Sequence, residues 1–388
     1  MAEAKEGLNI VVVGGGNAAH CFIGMLRRQQ KQPLKSLKLF SLLKKEEESW
    51  SKSTGLTMQL PSGEEVPNIK LDGVIPIENP HDELHAADLL LICVPSFAID
   101  NILSNVCPHV RDGSVIFGMP GNGGFMRCAR HHIGSKPVTI VGTQQLPIQA
   151  RLVEYAHSCH LLGRKHGMQF AAETGGVAVT DEKLKNLKET LSALFDPVYF
   201  HSLAGGPDEV DLYPSNQCIH IPRLYGLWQK QPLDENPLFY EGYEQDEIDL
   251  MEDLSQELLK ISTHLGHPFP DMKEVMLRYY RHSIKDNSTL QSCFTTNEGY
   301  KGLRSPMKQR EDGKYVIDTA SRYFIEDIPY SLLIGKAIGQ KNNVDTPVMN
   351  KIIKWAEDLL GKKYFIEGTT NIDPDSPDVK ASLVRYYL

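Results

Sequence analysis

Residues 8–26 read LNIVVVGGGNAAHCFIGML, and this stretch decides the fold. Leu8 to Val13 is a short β-branched run. Gly14, Gly15 and Gly16 follow at once, and Asn17 to Leu26 has the pattern of a helix. Strand, glycine turn and helix together form the context that a dinucleotide fingerprint requires. The spacing is G-x-G-x-x-A at Gly14, Gly16 and Ala19. Gly14 allows the tight turn, Gly16 lets the backbone approach a pyrophosphate, and the small Ala19 lets helix and strand pack closely. The free N–H groups and positive dipole end of the helix favour phosphate. The plain alternative is a glycine-rich loop that only closes a strand–helix turn.

Working outward, Leu37–Leu42 reads as a second strand and Asp88–Val94 as a buried, continuously apolar one of the parallel kind. Asp112-Gly113 leads into a strand over 114–119, and 139–141 is a shorter one. Strands alternating with helical stretches favour βαβ units and a doubly wound sheet. Pro95-Ser96-Phe97-Ala98 and Pro120-Gly121-Asn122-Gly123-Gly124 each follow such a strand, where ligands of these folds bind. Ordinary turn chemistry is the other reading of both loops. The second strand ends Phe40-Ser41-Leu42-Leu43-Lys44-Lys45, without the acid that often receives the ribose 2′-OH of NAD. Lys44 and Lys45 suit a 2′-phosphate or a solvated face, so these residues leave NAD against NADP open.

Leu203-Ala204-Gly205-Gly206-Pro207 marks a domain boundary. Beyond it strand signals thin out, and helices are expected over about 215–229, 244–265, 270–283, 329–340 and 347–361. The reading is an α/β chain: an N-terminal Rossmann-type doubly wound sheet (1–204) plus a C-terminal all-helical domain (205–388). That order is a common dehydrogenase layout.

Composition narrows the function. The 388 residues carry 41 Lys+Arg against 49 Asp+Glu, a net charge of −8, with 41% hydrophobic and 23% charged residues. This argues against a disordered chain, a general nucleic-acid binder or a protein drawn to anionic membranes. The strongest apolar run, 89–94, is far below the roughly 20 residues that span a bilayer. MAEAKEG at the start lacks an apolar signal core. The seven cysteines are scattered without a CxxC pair. Neither a disulfide framework nor a metal site is expected from them, and a cytoplasmic setting is.

Three polar features of the second half could carry chemistry. In Pro214–Pro222, Asn216 and His220 stand at i, i+4 on one helix face, and Pro222 would kink the helix beside the imidazole. A satisfied interior histidine is the alternative. In Arg322–Pro329, Asp327 could cap a helix or orient a histidine. Arg322 could grip a carboxylate with two prongs or form a surface ion pair. Thr295–Leu303 is a polar loop. His264 and His267 have no ligating neighbours in sequence and read as surface residues.

With these residues in view, the chain resembles the opine dehydrogenases of marine invertebrates, the octopine, tauropine, alanopine and strombine group. The resemblance runs through Gly14–His20, Ile219-His220 with Leu224-Tyr225-Gly226, Pro237–Gly242, Thr295–Leu303, Arg322-Tyr323 with Glu326–Pro329, and Trp355-Ala356-Glu357 with Gly361-Lys362. It implies a monomer that condenses pyruvate with an amino acid and reduces the imine with NADH, regenerating NAD in anaerobic glycolysis. It places the catalytic pair on His220 and Asp327, and substrate contacts on Arg322, Gln144, Asn216 and Asn122. Cofactor contacts fall on Gly14, Gly16, Asn17, Ala19, Ser41, Pro95 and Phe97. In Gly142–Pro147 the neutral Gln144 stands where octopine-type members carry Glu. Since an unpaired buried charge is expensive, the substrate expected is taurine, alanine, glycine or β-alanine rather than arginine, a tauropine or alanopine type. Two other readings stay open: a 2-oxo or 3-hydroxy acid reductase of similar layout, for which no lysine stands in a comparable helical motif, and a non-catalytic NAD(P)-sensing protein.

Overall fold

The computed structural model describes residues 7–388; the charged start, 1–6, lies outside the described residues. Contacts divide the chain into a unit ending at Val210 and a unit running from Asp211 to Leu388. The division falls beyond the expected 204/205 because the short helix Gly206–Asp211 is tied to the first unit. Arg127 Nη2 lies 2.6 Å from Asp208 Oδ1, and Gln144 Nε2 donates to Glu209 O at 3.2 Å.

The first unit contains thirteen strands in chain order. They are β1 (Leu8–Val13), β2 (Leu34–Phe40), β3 (Leu56–Gln59), β4 (Glu65–Ile69), β5 (Gly73–Ile75), β6 (Leu89–Ile92), β7 (Val115–Gly118), β8 (Thr139–Thr143), β9 (Ile148–Glu154), β10 (Ser158–Arg164), β11 (Gly167–Thr174), β12 (Val177–Ala178) and β13 (Tyr199–Ser202). Helices α1 (Asn17–Arg28), α2 (Lys44–Lys52), α3 (His81–Ala86), α4 (Ile99–Val106), α5 (Phe125–Ile133) and α6 (Asp181–Leu194) lie between them.

Nine strands make the main sheet, in the order β12-β11-β8-β7-β6-β1-β2-β5, with β13 beside β11. From β8 through β5 every pairing is parallel. β1, β2, β5, β6 and β7 each lead by a crossover to a further parallel strand of this sheet, and β6 and β8 are buried along their whole length. That explains the unbroken apolar run of β6, Leu89–Ile92. The order reverses at β1, which pairs with β2 on one side and β6 on the other. The crevice beyond the carboxyl ends of β1 and β6 is where such sheets bind ligands.

A second sheet, β4-β3-β10-β9, is not expected from the sequence. Its strands are half exposed, with burial alternating along β3, β9 and β10, so no continuous apolar run announces them. It lies against the face of α1: a Cβ at Gly24 would stand 2.6 Å from Met58 Sδ of β3.

The second unit is built from α7 (Asn216–Lys230), α8 (Gln245–His264), α9 (Met272–Tyr280), α10 (Leu290–Thr295), α11 (Arg322–Ile325), α12 (Leu333–Lys341) and α13 (Pro347–Leu360). It is helical, as expected, with one small hairpin of Met307–Gln309 and Tyr315–Ile317. Asp271 caps α9, its side chain accepting from Glu274 N, so that helix starts later than the apolar pattern suggests. One apolar core, including Ile221, Leu224, Met251, Leu258, Phe294 and Ile353, fills the unit. Among the described residues no helix is long and apolar enough to cross a membrane.

Candidate active site

Candidate residues occur in both units. In the first, Gly14 has φ +103°, and a Cβ there would meet Val94 Cγ1 at 2.7 Å and Cys93 O at 2.8 Å. No side chain fits, and the turn stays tight. A Cβ at Gly16 would meet nothing within 4 Å, and no side chain caps the helix that begins at Asn17. The space in front of these N–H groups is thus open for an anion. Ala19 is fully buried where α1 meets the sheet.

His20 braces the same turn. Its Nδ1–H donates to Gly16 O at 2.9 Å and its Nε2 accepts from Ala156 N at 2.9 Å, so the ring is held neutral in one tautomer. Trp50 and Tyr155 enclose it, with ring centroids 4.5 and 5.1 Å away. Burial pushes its pKa below the usual histidine value, against the opposing pulls of Gly16 O and Glu46. An unfolded chain therefore binds a proton at His20 before the folded one does, and stability falls as pH drops through the ordinary value of about 6.5. The melting temperature is expected to fall between about pH 7.5 and about pH 5.5, and to fall less in His20→Gln; a melting series across that range checks it.

The end of β2 corrects the reading of an absent acid. Ser41 is buried and its Oγ donates to Glu46 Oε2 at 2.5 Å. A carboxylate five residues further on thus returns to the strand end, beside Gly15, where a Cβ would stand 2.7 Å from Glu46 Oε2. Lys44 faces away, its Nζ 2.8 Å from both Glu47 Oε1 and Glu78 Oε1, and Lys45 is exposed. Their place is a solvated face. An acid there suits ribose hydroxyls and repels a 2′-phosphate.

The remaining residues of this half divide. Pro95 is half-buried, and Phe97, just past β6, is 50% exposed, a large aromatic open to a ligand. Asn122 is half-buried on the loop after β7. Asn17 is engaged in structure: its Oδ1 accepts from Leu152 N at 2.6 Å, tying α1 to β9. Gln144 is buried; Glu209 O takes its amide N–H, and its Oε1 has no hydrogen-bond partner among the described residues.

In the second unit His220 and Asp327 meet across 107 residues. Nδ1–H of His220 donates to Asp327 Oδ2 at 2.8 Å, and both side chains are below a tenth exposed. Burial pushes the Asp327 carboxyl up, and His220 pulls it back. The other ring nitrogen is also engaged: Tyr240 Oη lies 3.0 Å from Nε2. Burial drives the Tyr240 phenol well above its usual range, so it keeps its proton. Tyr323 lies over the imidazole at 4.1 Å between centroids, and Phe239 meets its edge at 5.7 Å. Tyr240 and Tyr323 are absent from the residues singled out in sequence. The only signal for them is adjacency, Tyr240 in the 237–242 string and Tyr323 next to Arg322.

Local structure explains this placement. Pro222 lacks the N–H that would reach back one turn to Cys218 O, and the next carbonyl, Ile219 O, accepts from the Tyr243 hydroxyl. Asp327 does not cap with its side chain; Ile328–Leu332 after it forms a π-helical turn, a feature often found at functional sites. Arg223 anchors α7 from beneath. Its Nη1 lies 2.8 and 2.7 Å from the two Glu247 oxygens, and its Nη2 donates to Leu238 O at 2.9 Å, close to Tyr240 in the chain. Gly242 makes room for this guanidinium, since a Cβ there would lie 2.5 Å from Nη2.

Two expected residues sit differently. Arg322 is 66% exposed and bound to Glu326, with Nε 2.7 Å and Nη2 2.5 Å from Oε2. Asn216 is exposed at the start of α7, one turn before the buried His220. His264 is exposed, whereas His267 is half-buried in the turn after α8, its N–H donating to Ser262 O at 2.9 Å.

Residues 205–360 match the family model for the α-helical domain of NAD/NADP octopine/nopaline dehydrogenases. Tauropine dehydrogenase of Arabella iricolor is 31% identical over 376 residues, 92% of this chain and 93% of that protein. Octopine dehydrogenase of Mizuhopecten yessoensis is 30% identical, with 93% and 92% covered. Among solved structures, octopine dehydrogenase in complex with NADH and agmatine aligns with a TM-score of 0.84 at 27% identity, over 98% of this chain and 95% of that one.

Proposed function

Since the chain belongs to the opine dehydrogenase family, we propose that it catalyses the NADH-dependent reductive condensation of pyruvate with a small neutral amino acid. The observation that carries this is the buried His220, its two nitrogens held by Asp327 and Tyr240. A pair of this kind moves protons, and the first unit offers the turn that holds a dinucleotide.

The residues fit NADH. The open space at Gly16 and the uncapped start of α1 receive the pyrophosphate, Ser41 and Glu46 the adenosine ribose, and Pro95 and Phe97 line the same crevice. When bound, NADH supplies the hydride that reduces the imine carbon. The protein's own groups do the rest. Pyruvate and the amine first form a carbinolamine, which loses water to give the imine. The departing hydroxyl needs a proton, and the amine nitrogen must release one. His220 serves both transfers, with Asp327 keeping the proton of the pair on Nδ1. Tyr240, on Nε2, passes the proton between the imidazole and the substrate.

Arg322 binds the oxo-acid carboxylate by exchanging partners. In the Arg322–Glu326 pair the guanidinium is 66% exposed and the Glu326 side chain 13%, so solvent screens the pair from the arginine side. Giving it up for a two-pronged grip on a substrate carboxylate therefore costs little. Gln144 sets the choice of amine: its free carbonyl oxygen accepts a hydrogen bond but brings no negative charge to a guanidinium. Asn216 and Asn122 are proposed as further polar contacts to the substrates.

The test is NADH oxidation by the purified chain with pyruvate and one amine at a time. Taurine, alanine, glycine or β-alanine should outrun arginine. Faster turnover with arginine would reject the role given to Gln144, and equal turnover without any amine would favour a simple oxo-acid reductase.

A further inference from the structure

We propose that Asp100, Cys128 and His132 form a zinc(II) site that clamps α4 to α5 in the N-terminal unit. The cysteine spacing in sequence does not suggest it, because the ligands come from two helices. Cys128 and His132 stand at i, i+4 on α5, so thiol and imidazole leave one face one turn apart. Asp100 comes from the first turn of α4.

The geometry matches a coordination polyhedron. The three donor atoms lie within 4.8 Å of one another. His132 Nε2 is 3.0 Å from Asp100 Oδ1, and Cys128 Sγ is 3.5 Å from the same oxygen. Tetrahedral zinc, with bonds of about 2.0–2.3 Å, sets its ligands roughly 3.3–3.8 Å apart; the Sγ–Oδ1 separation falls in that range, and the Nε2–Oδ1 separation must open slightly to admit an ion. The donor set is one thiolate, one imidazole and one carboxylate. A thiolate favours zinc or cobalt and disfavours magnesium and calcium. Burial is graded in the right direction: Cys128 is fully buried at the inner corner, while the side chains of His132 and Asp100 are 18% and 36% exposed. That leaves an entry path and a fourth position for water. On binding, Sγ–H of Cys128 is replaced by an Sγ–Zn bond and the proton passes to solvent. None of the three residues belongs to the dinucleotide turn or to the His220 pair, so the site is independent of the proposed reaction.

The full-length protein, stripped with a chelator and titrated with Co²⁺, should develop a near-ultraviolet thiolate-to-cobalt charge-transfer band that saturates at about one ion per chain. Zn²⁺ should abolish that band and raise the melting temperature. Cys128→Ser should lose the band, and His132→Gln and Asp100→Asn should weaken Co²⁺ binding at least tenfold. NADH binding reports that each variant is folded, and the half-exposed Asp100 tolerates substitution where Cys128 does not. A wild-type protein with no such band overturns the site. So does a band that persists undiminished in the folded variants.

Discussion

Replacing His220 by alanine is expected to cut kcat by about 10²–10⁴-fold, the range for removing a positioned general acid–base group, with NADH affinity unchanged. The groups assigned to NADH all lie in the N-terminal unit, on the glycine turn and the ends of β2 and β6. The substitution removes the imidazole whose two nitrogens bond Asp327 and Tyr240. Asp327→Asn should lose a large part of the same rate, because an amide no longer selects the Nδ1–H tautomer. Tyr240→Phe discriminates a proton path from packing. The ring remains against Tyr300, at 4.0 Å between centroids, while the hydroxyl is gone. A path through the phenol predicts a lower kcat with an altered pH profile; packing alone predicts an unchanged profile. Steady-state rates and a fluorescence titration with NADH measure both quantities. An unchanged kcat in His220→Ala would remove this histidine from the mechanism.

The largest effect on stability is expected at Glu247. Its side chain is 1% exposed and that of Arg223 is 2% exposed. Glu247→Ala leaves a buried guanidinium whose remaining protein acceptor is Leu238 O. Removing one partner of a buried pair costs about 3–5 kcal/mol. Denaturant unfolding followed by a signal from the C-terminal unit should show that loss. Surface pairs provide the contrast: Lys354, 63% exposed and facing Glu357 and Asp358, should cost no more than about 1 kcal/mol as Lys354→Ala. Catalysis should also suffer in Glu247→Ala, because Arg223 holds the chain at Leu238, two residues before Tyr240. A loss below about 1 kcal/mol in Glu247→Ala would mean that the pair adds nothing beyond its surroundings.

What was legible in sequence is local or periodic. The glycine turn can be read because its demands fall on consecutive residues, β1 because its β-branched run leads straight into that turn, and β6 and β7 because parallel strands covered on both faces are apolar throughout. The second sheet is illegible for the opposite reason: its half-exposed strands depend on the face of α1 for their burial. Glu46 is hidden because an acid is sought at the strand end, whereas the chain supplies it from the following helix. His220 and Asp327 could be placed by family resemblance, but their contact joins residues 107 apart and has no local signature. Tyr240 reaches Nε2 only because Arg223, Glu247 and Gly242 settle the segment before it. The sequence suggests Arg322 as a carboxylate grip or a surface ion pair, and the structure places it on Glu326. That contact is chemically the same, but the carboxylate is the protein's own.

In the proposed reaction hydride reaches a carbon–nitrogen bond made from two substrates. It is tested most directly with NADH carrying deuterium at the transferable position, supplied together with pyruvate and alanine, and the products read by mass spectrometry. One deuterium is expected in a secondary-amine dicarboxylate, on the carbon that was the pyruvate carbonyl, and none of that product when alanine is omitted. Deuterium found in lactate alone, with or without alanine, would contradict it.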